Sequence, residues 1–151
     1  TRDDVGNYYI GCYGYTDETT HDGFIIKTDS GGNLDTSFGN NSGSYVFGTA
    51  GVVDICQDVI WDSTRSRLYA IGRVANSSGN YDLYVIALDA NGNLDTTFAD
   101  NGVYQYDNAA GGADYDSGSE GVLTTDGKLL VVGSSTNANG DKDAVIWILD
   151  L

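Results

Sequence analysis

The sequence has little of what many folds and active sites are built from. Its 151 residues include no proline, no methionine, one histidine, two cysteines and only seven lysines and arginines. Without proline, the chain lacks a common blocker of exposed strand edges. One histidine and two separated cysteines cannot supply a zinc site. A nucleophilic triad would have to use His21, which lies in a polar stretch where a solvated histidine is expected. The longest apolar runs, such as Ala144–Leu149, have six residues, against about 20 for a membrane-spanning helix. No stretch carries helical periodicity between caps. Glutamate is nearly absent as well, with Glu18 and Glu120 in different parts of the chain. No paired carboxylates stand out for hydrolysis, and no enzyme activity is expected. With 22 acidic residues the formal net charge is -15. That balance excludes nucleic acid and anionic membranes as expected partners, because no basic patch could displace counterions from phosphates.

What is present is apolar enough to fold. Hydrophobic residues make up 40%, with eleven tyrosines and 21 glycines; a disordered chain is poorer in both aromatic and branched residues. The strongest signal is an internal repeat. Gly32-Asn-Leu-Asp-Thr-Ser-Phe38 recurs as Gly92-Asn-Leu-Asp-Thr-Thr-Phe98, 60 residues on. Asp22–Asp29 matches Asp82–Asp89 at 60, and both match Asp143–Asp150 at a further 61. Tyr8–Gly11, Tyr69–Gly72 and Leu130–Gly133 place their glycines 61 apart. Periods of this size mark propellers and solenoids.

Each unit reads as four short strands. In the central unit these are Ser44–Phe47, Asp54–Trp61, Leu68–Ile71 and Leu83–Leu88, and the next unit repeats them from Val103, Gly118, Leu129 and Ala144. Asp126-Gly127 between apolar runs signals a hairpin. Thr1–Gly6 reads as the end of an equivalent turn. Apolar runs of four to six residues imply sheets buried on both faces, as in the four-stranded blades of a β-propeller. The expected fold is therefore all-β: about two and a half antiparallel blades, unclosed within one chain. The expected division is a half blade with connector over 1–39, a full blade with connector over 40–99, and a full blade over 100–151.

The segments Gly32–Gly39, Gly92–Phe98 and Asp126–Gly133 resemble the delta-60 repeat, a β-propeller-like tandem repeat of bacterial secreted and surface proteins. The resemblance covers essentially the whole chain. Ala99 departs from it where the first copy has Gly39, and Thr64–Arg67 replaces Asp-Gly-Lys. The resemblance implies repeat architecture and an extracellular or cell-surface location, and it implies no catalytic residues. Absence of a starting methionine fits two readings: a mature chain whose leader is gone, or a piece of a longer one.

Candidate sites follow from residue type. Asp89, Asn91, Asn93 and Asp95 alternate oxygen side chains around a glycine, a pattern suited to Ca²⁺ and equally to an Asx turn bonding its own backbone. No other cofactor is indicated. Asp107–Glu120 reads as an acidic, solvated loop. Cys12 and Cys56 can form one disulfide or serve as small core residues. Asn40 and Asn76 begin N-x-S/T sequons, candidates for glycosylation. Unfilled blade edges invite further strands. The expected function is a non-enzymatic extracellular structural module that self-assembles, as a filament or surface array. Its contacts would be Tyr8, Tyr9, Ile10, Tyr13 and Tyr15 at one end and Val145, Trp147 and Leu149 at the other. The expected partners are further copies of the chain or the rest of a longer propeller. The alternative is part of a propeller adhesin in which tyrosines bind glycan, with or without Ca²⁺.

Overall fold

The computed structural model describes residues 1–15, 20–40, 42–48 and 51–151, with the backbone alone at position 113. Glu18 and Asn41 lie outside the described residues. The fold is all-β. Among the described residues ten strands run as β1 (Tyr8–Tyr15), β2 (His21–Thr28), β3 (Ser44–Phe47), β4 (Ile55–Asp62), β5 (Arg67–Ala75), β6 (Tyr81–Asp89), β7 (Val103–Tyr106), β8 (Gly111–Leu123), β9 (Lys128–Asn137) and β10 (Lys142–Asp150). Among the described residues there is no helix.

The strands pair as three antiparallel blades, in the orders β1-β2-β3, β4-β5-β6-β7 and β8-β9-β10. One parallel pair, Tyr81 with Tyr115, bridges the second and third. The blades do not close into a ring. Their boundaries differ from the repeat boundaries at 39/40 and 99/100. Ser44–Phe47 belongs with the preceding hairpin, not the following one, and Val103–Tyr106 likewise pairs with β6. The connector explains the difference. Backbone bonds from Asp35 to Lys27, Gly43 to Phe38 and Lys27 to Gly43 fold it back on the strand just completed, and the second copy repeats them from Asp95, Gly102 and Ala87. The next short strand therefore lands beside the old blade. Before β1, Arg2 bridges Tyr8, and Thr1 and Tyr9 exchange hydrogen bonds. Thr1 and Arg2 thus occupy the end of the place that β4 fills in the second blade.

Pairing also shifts one part of the repeat. The hairpins align through Tyr8 opposite Thr28, Leu68 opposite Leu88 and Leu129 opposite Leu149. This offset is 60, then 61, so Cys12, rather than Gly11, is the counterpart of Gly72 and Gly133. The latter two glycines sit beneath bulges in β4 and β8, where a Cβ would overlap the carbonyl oxygens of Ile55 and Ser117. Among the described residues no bulged strand pairs with β1 beside Cys12.

The second blade is buried on both faces, as its continuous apolar strands predict. Leu68, Ala70, Ile86 and Leu88 pack on Tyr9 and Ile25 of the first blade. Tyr69, Ile71, Val85 and Ala87 pack on Leu129, Val131, Trp147 and Leu149 of the third. Each such aliphatic side chain contributes about 1.5–3 kcal/mol when fully buried. The connector phenylalanines close both cores at the rim: Phe38 meets Tyr9 edge-on at 5.7 Å, and Phe98 meets Tyr69 at 5.4 Å. The segment Asp107–Glu120, expected as a solvated loop, is strand from Gly111 onward, with Asp116 buried. Its glycines permit close packing: a Cβ at Gly118 would collide with Ile71 and Leu83, and one at Gly121 with Ile71 and Ile60.

Candidate functional site

The acidic turns are structural. Asp89 accepts the N–H groups of Asn91 (2.8 Å) and Asn93 (2.9 Å) through Oδ1, and the Asn93 side-chain amide (2.9 Å) through Oδ2. Gly92 takes the left-handed conformation the turn needs, at φ 81°. Asp29 and Asp3 make the same bonds to Gly31 and Asn33, and to Val5 and Asn7. Burial raises the Asp89 carboxyl, but bonds from Asn93, Asn91 and Gly92 outweigh it and hold it below its ordinary value. Asp95 faces elsewhere. Its Oδ1 accepts the Thr97 hydroxyl at 2.6 Å, and its Oδ2 meets the Arg67 guanidinium at 2.6 Å. The Thr97 hydroxyl leads, with Arg67 adding, in keeping this carboxyl low. The two carboxylates of the Asp89, Asn91, Asn93, Asp95 set thus serve different partners. Among the described residues no group of three or more His, Cys, Asp and Glu side chains is placed to hold a metal ion.

The fold also places the cysteines, the sequon asparagines and His21. Cys12 and Cys56 are free thiols. A Cβ on Gly11 would lie 2.7 Å from Cys56 Sγ, so Cys56 packs under the inward face of β1, while alternation directs Cys12 to the other face. Burial, with Cys12 and Asp58 nearby, pushes the Cys56 thiol up to about 12. The sequon asparagines are tied into the fold through the nitrogen a glycan would need. Asn40 Nδ2 donates to the Val46 carbonyl at 3.1 Å, and Asn76 Nδ2 to Asp82 at 2.7 Å. His21 is not a solvated loop residue: it opens β2, with the Tyr15 ring centre 3.9 Å away and Tyr13 edge-on at 5.7 Å.

The outer surfaces of the end blades are the remaining feature. On the first blade, alternation turns Tyr8, Ile10, Phe24, Ile26 and Val46 outward, with Ile10 48% exposed. Tyr13 and Tyr15 are exposed beyond the rim. Tyr9, expected in the contact, is fully buried against Phe38 and stacks on Trp61. On the third blade the expected face is inverted. Trp147 (6% exposed) and Leu149 lie in the core with Val145 packed against it, whereas Ile146 (64%) and Ile148 (63%) point outward. Val122, Leu130 and Val132 complete that outer face around a depression of about 210 Å³. A strand's two faces differ by one residue, and the all-apolar run 144–149 gave no alternation from which to choose between them. The outer edge of β10 carries no partner strand among the described residues.

A polar groove of about 510 Å³ lies between the β4–β5 and β8–β9 turns, lined by Trp61, Asp62, Arg65, Thr124 and Asp126 among others. Asp62 is taken up there by Arg65 and Thr64.

Residues 67–98 and 124–147 match a family described as "Domain of unknown function (DUF5122) beta-propeller". These segments are β5–β6 with the following connector, and β9 with the turn before it and most of β10. No curated protein and no solved structure matches the chain. The partial match and the three open blades agree: the chain is β-propeller-like, built from a propeller-type repeat.

Proposed function

We propose that the protein is a non-enzymatic structural module of the extracellular or cell-surface space, which assembles with further copies of itself through its end blades. One observation carries this reading: both end blades present an apolar outer face, and monomeric proteins rarely leave such faces uncovered. The delta-60 resemblance of Gly32–Gly39, Gly92–Phe98 and Asp126–Gly133 supports the location and the repeat identity. Of the first-hairpin tyrosines that a glycan would use, Tyr9 is buried, while Tyr8, Tyr13 and Tyr15 are exposed. In a longer propeller, the same two faces would meet the neighbouring blades. Light scattering after size exclusion, over a concentration series, tests the proposal. Masses of two or more copies are expected, and a monomer at every concentration would refute it.

A further inference from the structure

We propose that the outer faces of the first and third blades are the two halves of one head-to-tail contact, occupied by a second copy of this chain. The inference rests on the assembly reading above and specifies its interface.

Inside the chain, each junction lays the forward face of one blade on the rear face of the next. At the second junction, Tyr69, Val85 and Ala87 are forward residues, and Leu129, Val131 and Trp147 are rear ones. The hairpin pairings transfer these roles to the ends. The counterparts of Tyr69, Ile71, Val85 and Ala87 on the third blade are Leu130, Val132, Ile146 and Ile148. The counterparts of Leu68, Ala70, Ile86 and Leu88 on the first blade are Tyr8, Ile10, Ile26 and Thr28. The chain thus ends on the same two kinds of surface that it buries at both internal junctions. A second copy placing its Tyr8–Ile10–Ile26 face on Ile146 and Ile148 continues the internal packing in the same direction. Forward-to-forward contact, by contrast, has no precedent within the fold.

The contact is heterologous, so each copy keeps one free face of each kind until a ring closes. Two copies of three blades bring six, within the roughly four to eight of closed propellers. Beside β1, Thr1 and Arg2 lie at the place of β4. Association of this kind depends on concentration.

The test uses two double variants of the full chain, Ile146→Asp/Ile148→Asp and Ile10→Asp/Ile26→Asp, with denaturation midpoints to confirm that each folds. Each is expected to weaken self-association at least about tenfold, as a buried unpaired charge does. Mixed, they should form a one-to-one dimer, because each retains the face the other has lost. Self-association of either variant at wild-type strength, or a mixture that stays monomeric, overturns the head-to-tail contact while leaving assembly itself standing. A monomeric wild type overturns both. Should a double variant fail to fold, Ile148→Arg, at a position 63% exposed, carries the same mixing test.

Discussion

A single aspartate organises each of the tight turns at Asp3, Asp29 and Asp89, and this is where residue chemistry is most consequential. Each carboxylate replaces water with two backbone N–H groups and one side-chain amide. Asp89→Ala is expected to cost about 1 kcal/mol, typical of a lost capping acceptor, measured by denaturant unfolding. Calcium titration of the wild type should give no heat at this turn. Hydrogen bonds from Asn33 and from Ser37 likewise lead in holding Asp29 and Asp35 low, alongside Asp89 and Asp95. A carboxyl with a depressed folded value stabilises the protein above its unfolded value, near about 4, and loses that contribution as pH falls through the folded one. Asp107 acts in the opposite sense, raised by burial and by the charges of Asp82 and Asp116. Asp3 and Asp126 are depressed as well, so with six lowered carboxyls against one raised the unfolding midpoint should hold between about pH 7 and 5 and fall below about pH 4. Increasing stability on acidification would contradict this assignment.

At the scale of the strand, the informative quantity is which face a residue takes. The four-strand unit, its hairpins and the two-sided burial of β5 and β6 were legible because apolar runs and Asx-Gly turns recur at a fixed spacing. The faces of β10 were not, since Ala144–Leu149 is apolar on both sides and only packing against Val131 and Leu129 distinguishes Trp147 from Ile148. Trp147→Ala should cost about 3–5 kcal/mol, because it opens a cavity in the second core. Ile148→Ala should change monomer stability by no more than about 0.5 kcal/mol. Parallel denaturation curves separate the two, and equal costs would mean that the face assignment is incorrect. β8 was under-read for a related reason. Its glycines and acids suggest a loop, yet Gly118 and Gly121 are the residues that let it approach Ile71.

For the whole molecule, charge and apolar surface oppose each other. Each copy carries -15, so like copies repel at long range. The proposed contact between them is made by uncharged side chains such as Ile10, Ile146 and Ile148. Raising ionic strength from about 0.01 M to about 0.15 M shortens the screening length from about 30 Å to about 8 Å. Sedimentation velocity should therefore show a larger assembled fraction at the higher salt. Dissociation by salt would indicate a contact built on ion pairs instead.

By itself the sequence determined the all-β class, the repeat near 60 residues, the propeller-type blade and the openness of the array, because periodicity and turn chemistry are local properties. Only the tertiary structure decided which strand completes which blade, where Cys56 and the bulge glycines sit, and that Ile146 and Ile148 rather than Trp147 and Leu149 face outward. Those outcomes depend on contacts between residues about 60 apart in the chain, made when one blade settles on the next, and no local pattern encodes them.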